Sequence, residues 1–299
     1  MDKVKKVYVD SRYKSNDSTS NSDFKFELKE ELVLPDNTVC YIDDICIPHT
    51  WYTIEDFNNT LYIVAKRWLQ YGATGAAPKY HGYALKLPNG NYTGLSLANE
   101  IQEILQTSVG DLEFTCSYHI ATGKLTIKAG VDQMFKVFSN FQVSSIDPAL
   151  PDPWMGWKDN NQNVISVDVS NLNSINEILR NTSGITDGTW SPMDPSLENE
   201  FTSEFIDLLN VHNIYTHCPN LGHYSIVGVR GENSIIKKVP VSSSFGYLIL
   251  DSVVAPHDKI DVSRQSLKTM HFILKNVHGN VINLHGAHVS LSLIFQTIE

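Results

Sequence analysis

The sequence predicts a mainly β protein: a single jelly-roll β-sandwich interrupted by an α+β insertion domain. Apolar and polar residues alternate near both ends of the 299-residue chain, as in strands with one buried face, whereas the middle contains a helical pattern. Hydrophobic residues make up 42% of the chain and charged residues 19%, which is typical of a folded protein with a large core. The predicted jelly-roll domain comprises residues 1–66 and 211–299, and residues 67–210 form the insertion domain.

The N-terminal part predicts a short strand and then three full ones. Phe24, Phe26 and Leu28 alternate with charged residues, which predicts a half-buried strand. A polar loop over residues 10–22 precedes this strand, and the turn Pro35-Asp36-Asn37 follows it. The four predicted strands are Val4–Val9, Phe24–Leu28, Thr38–Pro48 and Leu61–Ala65.

The middle of the chain has a different pattern. A strand over Tyr83–Leu87 precedes a helix capped by Ser96, with apolar residues at helical spacing. A hairpin is expected over residues 114–129, around Ala121-Thr122-Gly123. Ser174 and Glu177 predict a capping box, and apolar residues from Phe201 to Leu209 predict another helix.

Strands dominate again after about residue 211. We expect the last two of them to lie beside the N-terminal strands and not beside any segment between Tyr83 and Ala129. With the N-terminal strands the total is about eight, the size of a jelly roll. The predicted C-terminal strands are Ile214–Cys218, Tyr224–Val229, Ile235–Val241, Tyr247–Leu250, Leu267–Lys275 and Val289–Phe295.

The charge balance argues against a nucleic-acid-binding protein. The formal net charge is −10, whereas binding to phosphates requires clustered Lys and Arg. The one basic cluster, Lys3, Lys5 and Lys6, lies at the N-terminus, and its role stays open. No apolar segment follows Met1, so no signal peptide is expected, and no apolar run is long enough to predict a membrane span.

The four cysteines predict free thiols and no zinc site, because C-x-x-C spacing is absent. Cys40 and Cys46 share parity along one predicted strand, so both are expected on the same face. The remaining cysteines are Cys116 and Cys218.

Three further groups resemble functional sites, and each has a structural interpretation that we favour. His278, His285 and His288 lack the spacing of a cupin metal site and are predicted to be structural. Asp43 and Asp44 are adjacent in a strand, so their side chains are expected on opposite faces. Arg230-Gly231-Glu232 is predicted to form an ordinary turn. The sequence thus predicts a non-enzyme with no catalytic, cofactor-binding or metal residues and no cofactor.

Three stretches carry a resemblance to a known family. The first is Val7-Tyr-Val-Asp-Ser-Arg12 with the Ser- and Asn-rich gap after it, and the second runs from Val39 to Ile54. The third runs from Ile235 to Phe295 and includes Pro240-Val241 and Ile282-Asn-Leu284. Together they resemble the penton, or minor capsid, proteins of virophages and Polinton-like viruses, in particular those of the Mavirus type.

This resemblance implies a homopentamer of jelly rolls at the five-fold vertices of an icosahedral virion. The implied partners are further copies of this chain and a double-jelly-roll major capsid protein, with no small-molecule substrate and no membrane span. The location would be the virion, assembled inside the infected host cell.

Two alternatives remain open at this point. One is a trimeric β-sandwich that binds a receptor or glycan, as a fibre knob does, through loops carrying Trp154, Trp157 or Arg230. The other is a cupin-like metalloenzyme that uses the His cluster. The symmetry of the oligomer distinguishes the pentamer from the trimer, and metal analysis tests the metalloenzyme hypothesis.

Overall fold

The protein is divided into two compact units. In the computed structural model, the terminal unit comprises Met1–Trp51 and Val211–Glu299, and the central unit comprises Tyr52–Asn210. The structure describes residues 4–67, 79–110, 112–131, 133–146, 154–170, 172, 174–181, 197–221 and 234–298. The predicted strand Tyr224–Val229, the Arg230-Gly231-Glu232 turn and Lys3 lie outside these residues.

The two units contain the following strands and helices. The strands are β1 (Val4–Asp10), β2 (Asp23–Val33), β3 (Thr38–Pro48), β4 (Thr60–Arg67), β5 (Lys79–Lys86), β6 (Phe114–His119), β7 (Lys124–Ala129), β8 (Phe135–Val137), β9 (Trp154–Lys158), β10 (Val164–Ile165), β11 (Glu200–Thr202), β12 (Asn213–His217), β13 (Ile235–Pro240), β14 (Leu248–Asp251), β15 (Ile260–Asp261), β16 (Ser266–Lys275) and β17 (Ser290–Thr297). The helices are α1 (Gly94–Ser108), α2 (Asn140–Ser144) and α3 (Asn176–Leu179), with short 3-10 turns at Ser11–Tyr13, Pro219–Leu221 and Pro256–Asp258.

The terminal unit is a jelly roll. Its first sheet has the order β1-β17-β3-β14, with the short β15 also paired to β3, and its second sheet has the order β13-β12-β16-β2. Every strand pair in these sheets is antiparallel. If β15 is set aside, the eight strands among the described residues of this unit pass in chain order between the two sheets as in a pair of Greek keys, and the jelly-roll prediction is confirmed.

The jelly-roll core is formed by the inner faces of these two sheets. The inward residues of β16 and β17 are almost completely buried: Met270, Phe272, Leu274, Leu291, Leu293 and Phe295. Strand β16 pairs with β2, and β17 lies between β1 and β3. The predicted position of both C-terminal strands beside N-terminal strands is confirmed.

Strand β3 contains a bulge that reverses its side-chain alternation. Ile42 pairs with Leu293, but the neighbouring pair is Asp44 with Ser292, so Asp43 is an extra residue. Inward positions are consequently even-numbered before the bulge and odd-numbered after it. Cys40 is therefore fully buried in the core while Cys46 is only partly buried on the outer side. The prediction that these two cysteines share a face is wrong, because it assumed an uninterrupted strand.

The central unit has its own sheets and its own core. One sheet has the order β10-β9-β5-β4-β8, in which β5 and β9 are parallel, and the other has the order β11-β7-β6. Strand β4 belongs here, since it pairs with β5 and β8 and buries Leu61, Ile63 and Ala65 against α1 residues such as Ile101. Assigning residues 52–66 to the jelly-roll domain was therefore wrong, because strand alternation does not identify the partner strand.

Two helix predictions in the central unit need correction at their N-termini. Helix α1 is capped by Thr93, and Ser96 occupies the third helical position, where its Oγ accepts a hydrogen bond from the Thr93 N–H at 2.9 Å. Helix α3 is only four residues long, its N-cap is Ile175, and it has no side-chain capping bond. The Ser174 Oγ nevertheless accepts a hydrogen bond from the Asn176 N–H at 3.1 Å, so Ser174 does bond to the first turn of this helix.

The predicted helix from Phe201 to Leu209 is wrong. Phe201 lies in β11 opposite Ile127 of β7. Two residues later, the Ser203 Oγ accepts a hydrogen bond from the Leu125 N–H at 2.9 Å. The apolar spacing of this segment is that of a short strand followed by an irregular segment that packs on the hairpin.

Replacing Gly82 by alanine is expected to destabilise the central unit by about 1–3 kcal/mol, the usual cost of overpacking. A Cβ at this position of β5 would lie 2.6 Å from Trp157 and 2.7 Å from Trp154. Urea unfolding followed by tryptophan fluorescence measures the loss. Gly90→Ala is the matched control, because its Cβ would meet nothing closer than 3.4 Å; an equal loss in both variants would contradict the packing explanation.

Candidate interaction surface

The outer face of the first sheet presents side chains of four strands in register. One row across the sheet runs from Tyr8 through Ser292 to Asp44. The next row contains Asp10, Ser290, Cys46 and Leu250. Leu248 follows, opposite Pro48. We call this surface the β1–β14 face and define it by Lys6, Tyr8, Asp43, Asp44, Leu248 and Leu250.

A charged cluster occupies the middle of the β1–β14 face. The Lys6 Nζ lies 2.7 Å from Asp43 Oδ2 and 3.7 Å from Asp44 Oδ2, and the hydrogen bond to Asp43 raises the pKa of Lys6. The Ser292 hydroxyl donates to Asp44. Both carboxylates thus face outward together, and the prediction that they occupy opposite faces is wrong because of the β3 bulge.

Exposed apolar side chains flank this cluster. Tyr8 is 73% exposed, Leu248 62% and Leu250 67%, whereas Ile249 between the two leucines is buried in the core. Strand β14 is therefore apolar on both sides, although its outer side faces solvent in the single chain. An exposed apolar patch bordered by polar and charged side chains is typical of protein–protein contact surfaces.

The outer face of the second sheet is more basic. Tyr215 lies between Lys275 and Lys238, and Lys25 lies opposite His271 on β16. The His271 Nε2 is 2.6 Å from Asp23 Oδ1. We call this surface the β2–β13 face and define it by Lys25, Tyr215, Lys238, His271 and Lys275.

The three C-terminal histidines occupy separate loop positions. The His285 Nδ1 is 2.6 Å from the Thr50 carbonyl oxygen, and the His288 Nδ1 is 3.3 Å from the Ser11 hydroxyl. The His278 N–H donates to the Asn276 side chain. Within the described ranges, no three His, Cys, Asp or Glu side chains come together in a way that could hold a metal ion.

The four cysteines are free thiols. Burial raises the pKa of Cys116 and of Cys218 to about 12, and it also raises the pKa of Cys40. These thiols stay protonated at neutral pH and have the character of small core residues rather than nucleophiles.

Trp154 and Trp157 do not form an exposed binding loop. Both lie in β9 with 7% of their surface exposed and pack against Tyr62 or each other. Residues 147–153, which precede β9, lie outside the described residues. The tryptophans are therefore core residues of the central unit.

Comparison with known proteins identifies a fold. No protein-family model matches the chain, and no curated protein matches its sequence. A solved structure does match: the crystal structure of the mavirus penton protein, with a TM-score of 0.51 and 9% sequence identity, over 100% of both chains. The chain has the fold of that penton protein.

The shared fold extends over the whole length of both chains, and so over both units. At 9% identity the likeness concerns backbone arrangement and not the identity of surface residues.

Sequence reasoning missed the β1–β14 face, because its apolar residues were indistinguishable from core positions. A usable signal was the run Tyr247-Leu-Ile-Leu250, which is apolar at consecutive positions.

No helix among the described residues combines the length and apolar character of a membrane span.

Proposed function

We propose that this chain is a structural capsid protein that assembles as a homopentamer at the five-fold vertices of an icosahedral virion. The observation that carries this proposal is the likeness to the mavirus penton protein over the full length of both chains. The proposed partners are further copies of this chain and a double-jelly-roll major capsid protein. The proposed location is the virion, with assembly inside the infected host cell.

The two sheet faces fit the requirements of a ring. A closed ring uses a head-to-tail interface, in which one surface of each copy binds a different surface of the next. The β1–β14 face offers exposed apolar side chains and the carboxylates Asp43 and Asp44. The β2–β13 face offers Lys238 and Lys275. Such charge complementarity favours one orientation of neighbouring copies.

Mass photometry and negative-stain microscopy of the purified chain test this function. We expect a particle of five chains with five-fold symmetry. A three-fold particle would overturn the proposal in favour of the fibre-knob-like alternative. A protein that stays monomeric at micromolar concentration, both alone and with the major capsid protein, would also overturn it.

Leu250→Asp is expected to weaken the pentamer by about 2 kcal/mol or more per interface, the cost typical of a central contact residue. The new carboxylate would lie in the row that contains Asp10 and Cys46 and would replace an apolar side chain that is 67% exposed in the single chain. Mass photometry over a dilution series measures the change.

Ile120→Asp is the control for this variant. Ile120 is 82% exposed and follows β6 in the central unit, so it belongs to neither sheet of the jelly roll. It is expected to leave the pentamer intact. Assembly of the Leu250 variant at wild-type concentrations would show that the β1–β14 face is not the contact surface.

A further inference from the structure

A groove in the central unit has the composition of a ligand site. Its volume is about 540 Å³, within the range of about 300–1,000 Å³ that small-molecule sites occupy. Strands β4 and β5 supply Tyr62, Ala84 and Lys86, and the segment after β9 supplies Asn161 and the residues from Ile165 to Asp168. We call it the β4–β5 groove.

The walls of the β4–β5 groove are fixed by hydrogen bonds. The Asn160 side chain bonds both backbone groups of Lys86, accepting from the N–H at 2.8 Å and donating to the carbonyl at 3.0 Å. The Asp159 carboxylate accepts from the backbone N–H of Asn161 and of Asn163. These bonds join the segment after β9 to the end of β5, so the groove is largely formed before a ligand binds.

Several polar groups along the groove have no protein partner among the described residues. Tyr62 is 6% exposed, and its hydroxyl makes no hydrogen bond there. Tyr62 and Asp168 both line the groove, and burial together with the nearby charge of Asp168 raises the pKa of Tyr62. Asp168 Oδ1 accepts from Ser170, while Oδ2 is not engaged. The Lys86 ammonium and the Ser166 hydroxyl also lack partners within the described part of the chain.

The chemistry of these groups selects one class of ligand. An anion would meet two carboxylates, Asp159 and Asp168, against one ammonium, that of Lys86. A metal ion is disfavoured because no group of three suitable side chains occurs among the described residues. A neutral polyhydroxylated ligand fits: its hydroxyls can donate to the carboxylates and accept from Lys86 and Tyr62, and its C–H faces can contact Ala84, Ile165 and Val167.

We propose that the β4–β5 groove binds a neutral saccharide, with Asp168 and Tyr62 as its main polar contacts. The binding itself does not depend on the pentamer proposed above. In a capsid protein, such a groove would attach the particle to a neutral glycan on a host cell.

Saturation-transfer NMR on the full chain provides the test. The probes are the methyl glycosides of galactose, glucose, mannose and N-acetylglucosamine, with the methyl glycosides of N-acetylneuraminic acid and glucuronic acid as anionic probes. We expect saturable binding of at least one neutral glycoside and none of the anions. Absence of binding by all four neutral glycosides would overturn the proposal, and so would binding of the anions alone.

Variants then locate the site. Asp168→Asn is expected to weaken binding at least about tenfold, because a hydrogen bond to a charged group is lost. Tyr62→Phe is expected to weaken binding by roughly threefold or more while it keeps the buried ring.

Asp261→Asn is a matched control, since Asp261 in the terminal unit accepts from the N–H and hydroxyl of Ser263 just as Asp168 does from Ser170. It is expected to leave saccharide binding unchanged. Undiminished binding in both groove variants would overturn the assignment of the site. Mass photometry of the same variants is expected to show unaltered assembly, which separates this test from that of the pentamer.

Discussion

Replacing Phe272 by alanine is expected to lower the free energy of unfolding of the terminal unit by about 3–5 kcal/mol, as large-to-small changes in cores do. Phe272 is fully buried in the middle of β16, which lies between β12 and β2. Its ring lies 5.5 Å from that of Phe24 on β2, centroid to centroid. Truncation would leave a cavity lined by both sheets, because paired strands on each side prevent β16 from moving inward.

Hydrogen exchange of peptides from β2 and β16 measures this loss where it occurs, without the assumption that both units unfold together. Protein concentration must be held constant, since assembly adds to apparent stability. Val277→Ala is the control, because Val277 follows β16 and is 51% exposed. A loss below about 1 kcal/mol for Phe272→Ala would mean that the sheets can close over the cavity.

The same strand shows what the sequence could predict. In β16, inward Met270, Phe272 and Leu274 alternate with outward residues, so the pattern alone located the strand and its buried face. Strand β17 likewise places Leu291, Leu293 and Phe295 in the core. Regular alternation is a local signal, which is why these strands and the jelly-roll class were predictable.

The sequence-based predictions were wrong where the structure depends on contacts between segments that are distant in the sequence. Strand β4 has an ordinary strand pattern, and only its pairing with β5 and β8 assigns it to the central unit. The β3 bulge depends on the register with β17, and it brings Asp43 and Asp44 to Lys6. The β4–β5 groove combines residues from 60 to 168, which no local motif connects.

Lys237→Met is expected to destabilise the terminal unit by about 3–5 kcal/mol, the cost of removing one partner from a buried ion pair. The Lys237 side chain is 3% exposed, and its Nζ lies 3.6 Å from Asp251 Oδ1 and 3.8 Å from Asp258 Oδ2. The Nζ also donates to the Val253 carbonyl. Without the ammonium, the largely buried carboxylate of Asp251 would be left without its cation.

This ion pair also connects the two sheets. Lys237 lies on β13 of the second sheet, whereas Asp251 ends β14 of the first. Strand β14 is an edge strand that pairs only with β3 among the described strands, so Lys237 is one of the groups that hold its end in place. Lys237→Met is therefore expected to increase hydrogen exchange in β14 and, if Leu248 and Leu250 form the proposed interface, to weaken assembly as well.

A double variant separates the cost of losing the attraction between Lys237 and Asp251 from the cost of leaving a buried carboxylate without its cation. Lys237→Met combined with Asp251→Leu is expected to recover most of the stability in urea unfolding, because replacing both members of a buried pair by apolar residues is often neutral. Lys6→Met, whose pair with Asp43 is exposed, is the control and is expected to change stability far less. If the loss of stability in the double variant equalled the sum of the losses in the two single variants, the unpaired carboxylate of Asp251 would not be the cause of the destabilisation. The hydrogen bond from Lys237 to Val253 would then hold β14 to the second sheet.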